Sequence, residues 1–298
     1  MDGAMVSQVR RFNRIVTQRV GALNDRFLAR DRSLGEARLL WEIGTEGRDV
    51  RSLRTQLGLD SGYASRLLRA LEAAGLVVVD TKESDKRVRI ARLTTAGSAE
   101  RAVLDDRSDD LAASLLAPLS TPQRARLVAA MADVERLLTA SMVEVAPIDP
   151  SDPLARYCVH EYFAELDRRF DTGFDPALSI RADDEELRPP AGLFLVASLR
   201  GEPIGCGGLK FHDKKAAELK RMWVAESARG LGIGRRLLSE LERRAAGYGA
   251  RAIRLETNKT LTEAIALYRS SGYVEVVAFN DEPYAHHWFE KKLRPNHL

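Results

Sequence analysis

The chain is short of cysteine, with two in 298 residues, Cys158 and Cys206, far apart and outside any Cys-x-x-Cys spacing. That scarcity argues against a disulfide framework or a structural zinc site and leaves both as small packing residues. Histidine is scarce as well: His160, His212, His286, His287 and His297 are all there are, and none falls at a metal-binding spacing. No metal is expected. Long apolar runs are missing too; nothing approaches the roughly 18 residues of a membrane span. The polar, basic stretch 1–14 holds no apolar segment of the kind that directs export. A cytoplasmic protein without a membrane partner is the expectation. Aromatic residues make up only 6%, yet 45% hydrophobic and 30% charged residues give a globular composition. The length suffices for two domains.

The net charge of +3 is unevenly placed. Residues 1–141 hold 23 Lys and Arg against 19 Asp and Glu, whereas 142–298 hold 23 against 24. The excess falls in 48–92, with ten basic and six acidic residues. A local basic excess suits a phosphate backbone, or is a solvated face.

In the first part, the periodicity predicts an amphipathic helix over 7–29, with Val9, Phe12, Val16, Val20, Leu23 and Phe27 on one side. Ser33 to Glu36 forms a capping box for a second helix ending at Gly44–Gly47. A short helix, Val50–Leu57, stops at Gly58, and Asp60 or Ser61 caps another over Gly62–Ala74. Leu67, Leu68 and Leu71 of that helix point to a core, and Ser61, Tyr63, Ser65, Arg66 and Arg69 mark its outer side. Helix, three-residue turn and helix make a helix–turn–helix, whose second helix can enter a major groove. Two strands around Val77–Val79 and Val88–Ile90, joined by the polar tip Thr81–Arg87, form a hairpin, so that a winged helix results. Two long helices come next, 96–116 with the acidic patch Asp105, Asp106, Asp109 and Asp110, and Ser120–Ser141 with the stripe Leu127, Met131, Val134, Leu137 and Leu138.

Leu71-Glu-x-x-Gly-Leu76, Asp85-x-Arg87 and Leu93-Thr-Thr-x-Gly97 resemble the MarR family of bacterial transcription regulators over roughly residues 7–141. The resemblance implies a homodimer built on the terminal helices that binds double-stranded DNA at a palindromic operator. Arg87 would then reach the minor groove, held by Asp85; the alternative is that the two merely pair at a hairpin tip.

The second part begins at 142 with almost no linker. Its pattern predicts a strand at Met142–Ile148, a helix over Leu154–Phe170, strands at Gly192–Leu199, Pro203–Phe211 and Ala217–Val224, and then a glycine loop. Helix Ile233–Tyr248, strand Ala252–Glu256, helix Thr260–Ser270 with a capping box at Thr260 and Glu263, and strands at Tyr273–Val277 and about 285–292 complete it. The expected architecture is a two-domain α+β chain: a mostly helical winged unit at 1–141 and a mixed α/β unit at 142–298.

The loop reads Arg229-Gly-Leu-Gly-Ile-Gly234. Glycines before a helix offer unpaired N–H groups, the positive end of the helix dipole and a close approach to the main chain, which suits a pyrophosphate. Neither the dinucleotide spacing nor the Walker Gly-Lys-Ser/Thr is present. With the strand Leu219–Val224 and Ala264-Ile-Ala-Leu-Tyr268-x-x-x-Gly272-Tyr273, the loop resembles the GNAT acetyltransferases over 142–293. The resemblance implies acetyl-CoA as co-substrate and direct acetyl transfer to an amine, with a small molecule as the expected acceptor. Its carriers would be Met222, Trp223 and Val224 for pantetheine, Arg229, Gly230, Leu231, Gly232, Ile233, Gly234 and Arg235 for pyrophosphate, and Tyr268 for the leaving thiolate. Members often carry asparagine where this chain has Leu261, and Asn258 is expected to supply that contact. The amine must be neutral to attack, so a base is needed; Glu218 is favoured, with Glu256 second. The pair His286-His287 could line an acceptor pocket, though alternation points the two apart. Lys210, Lys214, Lys215, Lys220 and Arg221 would favour an acidic acceptor or form a solvated face.

Three functions compete. A DNA-binding regulator is fused to an active acetyltransferase; or the second domain only senses acetyl-CoA or a metabolite; or the winged helix serves only to dimerise an enzyme.

Overall fold

The computed structural model describes residues 2–23, 27–82, 85–212 and 216–293, with the backbone alone at 82 and 85–87. Lys214, Lys215 and His297 lie outside the described residues, as do the side chains of Asp85 and Arg87. The chain divides into two compact units, Met1–Ala130 and Met131–Leu298.

In the first unit, α1 (Gly3–Arg19) starts on an Asp2 cap and ends ten residues earlier than the apolar stripe suggests. Gly21, at φ +68°, comes after Val20 at the helix end, a left-handed position that terminates helices. Phe27, expected on the same stripe, is instead buried in a separate short turn. No residue of α1 is buried, and Val9, Phe12, Ile15 and Val16 all remain exposed.

The predicted capping box at Ser33 and Glu36 is formed and opens α2 (Leu34–Ile43). After the two-residue strand β1 (Arg48–Asp49), α3 (Val50–Leu57) stops at Gly58, which adopts φ +62°. Two residues later Asp60 accepts from the Tyr63 N–H at 2.9 Å and begins α4 (Ser61–Ala73). Leu67, Leu68 and Leu71 of α4 meet Leu39, Leu40 and Ile43 of α2 and Leu53 of α3 in one buried cluster. Strands β2 (Val77–Lys82) and β3 (Asp85–Leu93) form an antiparallel hairpin, and β1 pairs the other edge of β3 at Ile90 and Ala91. The long helices are α5 (Thr95–Leu116), capped by Thr94, and α6 (Thr121–Ser141), which has no buried residue and runs across the division between the units.

The second unit is a seven-stranded sheet in the order β4-β5-β6-β7-β8-β10-β9. Its strands are β4 (Val143–Pro147), β5 (Gly192–Leu199), β6 (Glu202–His212), β7 (Ala216–Val224), β8 (Ala252–Thr257), β9 (Val274–Val276) and β10 (His287–Lys292). Among the described residues only β7 and β8 run parallel. Their crossover helix α8 (Ile233–Gly247) and the shorter α9 (Thr262–Ser270) bury Leu237, Leu238, Leu241, Ile265 and Tyr268 against one face. Helix α7 (Pro153–Arg169) covers the other, packing Ala155 and Cys158 on Phe194, Cys206 and Trp223.

Two irregularities in β7 open a cleft in the middle of this sheet. Cys206 pairs with Trp223 but Gly208 pairs with Lys220, so two residues of β7, Arg221 and Met222, stand against one of β6. Arg221 takes φ +54° at this bulge, an uncommon conformation for a residue with a Cβ. The parallel pairing to β8 covers only Ala216–Glu218 against Ala252–Arg254, although both strands continue. Beyond Glu218, β7 and β8 therefore part, and the facing backbone edges open between them.

Candidate active site

Two cavities meet where β7 and β8 separate. One, of about 460 Å³, is lined by Met222, Trp223, Val224, Arg229, Gly230, Gly232, Ile233, Gly234 and Arg235. The other, of about 390 Å³, is lined by Lys220, Arg221, Glu256 and Asn258 together with residues of the segment 170–183 and Tyr284. Tyr162, Leu166, Met222, Leu261, Ala264 and Tyr268 line both, so Tyr268 stands at their junction.

The first cavity ends on the glycine loop. Gly230 and Gly232 adopt φ +79° and +77°, and a Cβ at either would meet nothing within 4 Å. Backbone geometry therefore demands glycine here, and the space in front of the loop is open. Helix α8 begins at Ile233 without a side-chain cap, whereas α1 to α5 and α7 are all capped by a side chain. Its first N–H groups are left to face the cavity. Arg229 pairs with Glu165 of α7 at 2.6 Å, and the same carboxylate accepts from the Trp223 indole at 3.0 Å. Arg235 donates to the Ser270 hydroxyl at 3.1 Å. Leu231 packs against the core without lining either cavity.

The expected capping box at Thr260 and Glu263 does not form. Glu263 pairs with Arg169 at 2.7 Å, a charge-assisted contact that outweighs a cap to its own backbone, and α9 starts at Thr262 without a side-chain cap. Asn258 is buried and spent on the loop: its amide donates to the Tyr284 carbonyl at 2.8 Å and its oxygen accepts from the Thr260 N–H at 3.0 Å. It lines the second cavity and not the one that ends on the glycine loop.

The two candidate bases sit in different surroundings. Glu218 lines neither cavity; it lies 3.3 Å from both His212 and Lys220. Glu256 lines the second cavity and pairs with Lys220 at 2.5 Å. Lys220 is 7% exposed and bridges the two carboxylates. Burial alone would lower the pKa of its ammonium, but Glu256 and then Glu218 outweigh that, and it titrates above its ordinary value. Lys220 is thus a fixed cation beside Glu256 at neutral pH.

Tyr268 is 5% exposed, and burial followed by the charge of Glu256 holds its hydroxyl well above the usual phenol range. It carries its proton at neutral pH. Tyr162 of α7 is raised in the same way, by burial first and then by Tyr268 and Glu256. No motif in the chain singles out Tyr162, whose spacing of four from Cys158 and Leu166 reads as a core stripe. His286 and His287 line neither cavity; His287 instead faces Glu275 at 2.6 Å. Among the described residues no cluster of metal-binding side chains occurs, and no helix is long and apolar enough to cross a membrane.

A model of the acetyltransferase (GNAT) family matches residues 159–273. A protein of Azospirillum brasilense named IAA acetyltransferase is 36% identical over 118 residues, covering 39% of this chain and 77% of that protein. The chain belongs to the GNAT acetyltransferase family. An uncharacterized N-acetyltransferase of Schizosaccharomyces pombe is 32% identical over 137 residues, covering 43% of this chain and 76% of its own. A crystal structure of a GNAT acetyltransferase from Staphylococcus aureus Mu50 aligns with 51% of this chain and 99% of its own, at 18% identity and a TM-score of 0.45. This GNAT member is an N-acetyltransferase, and acetyl-CoA is its acetyl donor.

Proposed function

We propose that the acetyltransferase unit, residues 142–298, passes the acetyl group from acetyl-CoA directly to a small-molecule amine at the junction of the two cavities. The observation that carries this is Tyr268, shared by a cavity floored by uncapped helix N–H groups and a cavity holding Glu256. Bound acetyl-CoA supplies an activated acyl group and a thiolate leaving group. The loop 229–235 holds its pyrophosphate through the N–H groups at the start of α8, with Arg229 and Arg235 beside them. The backbone of Met222–Val224, freed from β8, pairs with the pantetheine amides.

Glu256 takes one proton from the incoming ammonium, so that a neutral nitrogen attacks the thioester carbon. As the tetrahedral adduct collapses, the carbon–sulfur bond breaks and Tyr268 gives its proton to the sulfur. One of the two protons on the acylated nitrogen then restores the Tyr268 hydroxyl through solvent, the amide keeping the other, and the proton on Glu256 leaves to bulk. Glu218 acts only through Lys220. Thiol released in step with N-acetyl product, on adding amine to protein and acetyl-CoA, tests this reading.

Residues 1–141 are proposed to bind double-stranded DNA as a MarR-like winged-helix homodimer on a palindromic operator. Support comes from the three-residue turn between α3 and α4, the hairpin after them, and exposed Arg66 and Arg69 on α4 with no carboxylate partner among the described residues. Ser61, Tyr63 and Ser65 share that helix, and Arg66 lies over the Tyr63 ring at 5.7 Å. Asp85 and Arg87 stand at the start of β3, the place of the proposed minor-groove contact. Exposed apolar side chains on α1, and Val128, Met131, Leu137 and Leu138 on α6, support the dimer. Replacing Arg66 and Arg69 with alanine should weaken binding to a short duplex and lower its log–log salt slope by about 2. An unchanged slope in a filter or anisotropy titration would leave the helical unit as a dimerisation module. If duplex affinity instead changes on saturation with acetyl-CoA, and no amine is acetylated, the sensor reading takes over.

A further inference from the structure

Arg221 is the half-buried cation at the acceptor end that lacks a carboxylate partner among the described residues, whereas Arg181, which lines the same cavity, is exposed. Arg221 stands on the β7 bulge and lines the 390 Å³ cavity. Its guanidinium donates to the Ala182 carbonyl at 2.5 Å and lies 5.6 Å over the Phe163 ring. Among the described residues no carboxylate comes within ion-pair distance of it, whereas the half-buried Arg30, Arg32, Arg169 and Arg188 each have one. Burial pulls its pKa below the ordinary arginine value, though a guanidinium stays charged. A desolvated cation that feels Asp184 and Asp183 only from beyond ion-pair distance is incompletely compensated, and an anion entering the cavity relieves that cost.

The rest of the cavity narrows what carries the anion. Phe163, Phe170, Phe174 and Tyr284 form a continuous aromatic wall, with centroids 4.9–5.8 Å apart. Of the carboxylates that line it, Glu282 is spent on the Ser179 hydroxyl and the Ile180 N–H, and Asp183 lies at the exposed rim. Glu256, paired with Lys220 through one oxygen and accepting from the Asn280 amide at 3.4 Å through the other, is the remaining inner carboxylate among the described residues, and an ammonium at the junction would share it with Lys220. A polyamine would need more acidic partners than this. The volume also falls near the low end of small-molecule sites, about 300–1,000 Å³.

Resting on the transferase reading, we infer that the acceptor is a free α-amino acid with an aromatic or bulky apolar side chain. Its carboxylate is held by Arg221, its amine by Glu256 at the junction, and its side chain by the aromatic wall. Arg221 is then the specificity-determining residue. The donors it offers are fixed in a fork that fits a carboxylate.

The test compares kcat/KM for L-phenylalanine and L-tryptophan with that for phenethylamine and tryptamine, which lack the carboxylate, at saturating acetyl-CoA. The full chain should prefer each amino acid over its decarboxylated partner by roughly 30- to 100-fold, the worth of a charge-assisted pair. In Arg221→Gln that preference should collapse to about threefold or less. The ratio is taken within one protein, so any loss of folded enzyme cancels. Equal or better use of the decarboxylated amines by the wild type, or an unchanged ratio in Arg221→Gln, overturns the inference while the transferase reading stands. Absence of thiol release with every amine would remove both.

Discussion

Replacing Tyr268 with phenylalanine lowers kcat by roughly 10²-fold or more while leaving the fold intact, if the hydroxyl donates the proton to the departing thiolate. The ring itself belongs to the core beside Tyr273 and Phe289, with centroids at 5.8 and 6.1 Å, and phenylalanine keeps that packing. Only the donor is lost. Burial and the neighbouring Glu256 charge hold the proton on the phenol at neutral pH, so the wild type has an acid in place throughout the working range. A thiol of pKa about 8.5 is a tolerable leaving group by itself, which sets the loss toward the low end of what acid catalysis contributes, about 10²–10⁴. Steady-state kinetics with a good acceptor decide the matter: the loss should appear in kcat and kcat/KM together. An unchanged kcat would move the acid elsewhere, with Tyr162 the neighbour to examine.

Glu256→Gln should be costlier at neutral pH, lowering kcat/KM by roughly 10²–10⁴. A small-molecule amine is mostly protonated at pH 7, whether its pKa is near that of an α-amino group, about 8, or of a lysine, about 10.4. On the proposed route Glu256 removes that proton on the enzyme, and the variant must wait for the rare free base. Its kcat/KM should therefore climb about tenfold per pH unit toward the amine's own pKa, whereas the wild type levels off earlier. Glutamine keeps the shape and leaves Lys220 paired with Glu218 at 3.3 Å, so the buried cation is not stranded. Glu218→Gln should cost much less than Glu256→Gln, since Glu218 lines neither cavity. Parallel pH profiles for wild type and Glu256→Gln would remove Glu256 from the role of base.

The choice between these two glutamates shows where the sequence stops being legible. In a regular strand Glu218, Lys220 and Met222 would share one face, because side chains alternate with a period of two. That pattern puts Glu218 beside the cofactor strand. The bulge at Arg221 inserts a residue and breaks the alternation: Leu219 and Met222, three apart, both pack toward the α8 side, while Trp223 joins the α7 side. Nothing in Glu-Leu-Lys-Arg-Met-Trp announces such a bulge, since Arg221 is an ordinary residue in an extraordinary conformation. The glycine loop is legible for the opposite reason, because only glycine takes its φ values at no cost and the spacing is therefore visible in the letters. Capping residues such as Ser33 and Asp60 act within four positions and can be read directly. Glu263 cannot, because its partner Arg169 is 94 residues away in sequence. The same holds for Tyr162 and the aromatic wall, which long-range folding brings to the junction and no local pattern distinguishes from core. At the other end of the chain, the apolar stripe over 7–29 overruns Gly21, where the left-handed turn of a glycine prevails over periodicity.

The most direct measurement of the central claim, direct transfer across the junction at Tyr268, is the intact mass of the protein during turnover. Incubated with acetyl-CoA alone, the chain should show no added acetyl group and no burst of free thiol. On adding a competent amine, one thiol should appear for each N-acetyl product, with the protein mass still unchanged. An acetylated protein formed in proportion to enzyme, whose label passes to the amine on a second mixing, would contradict the account.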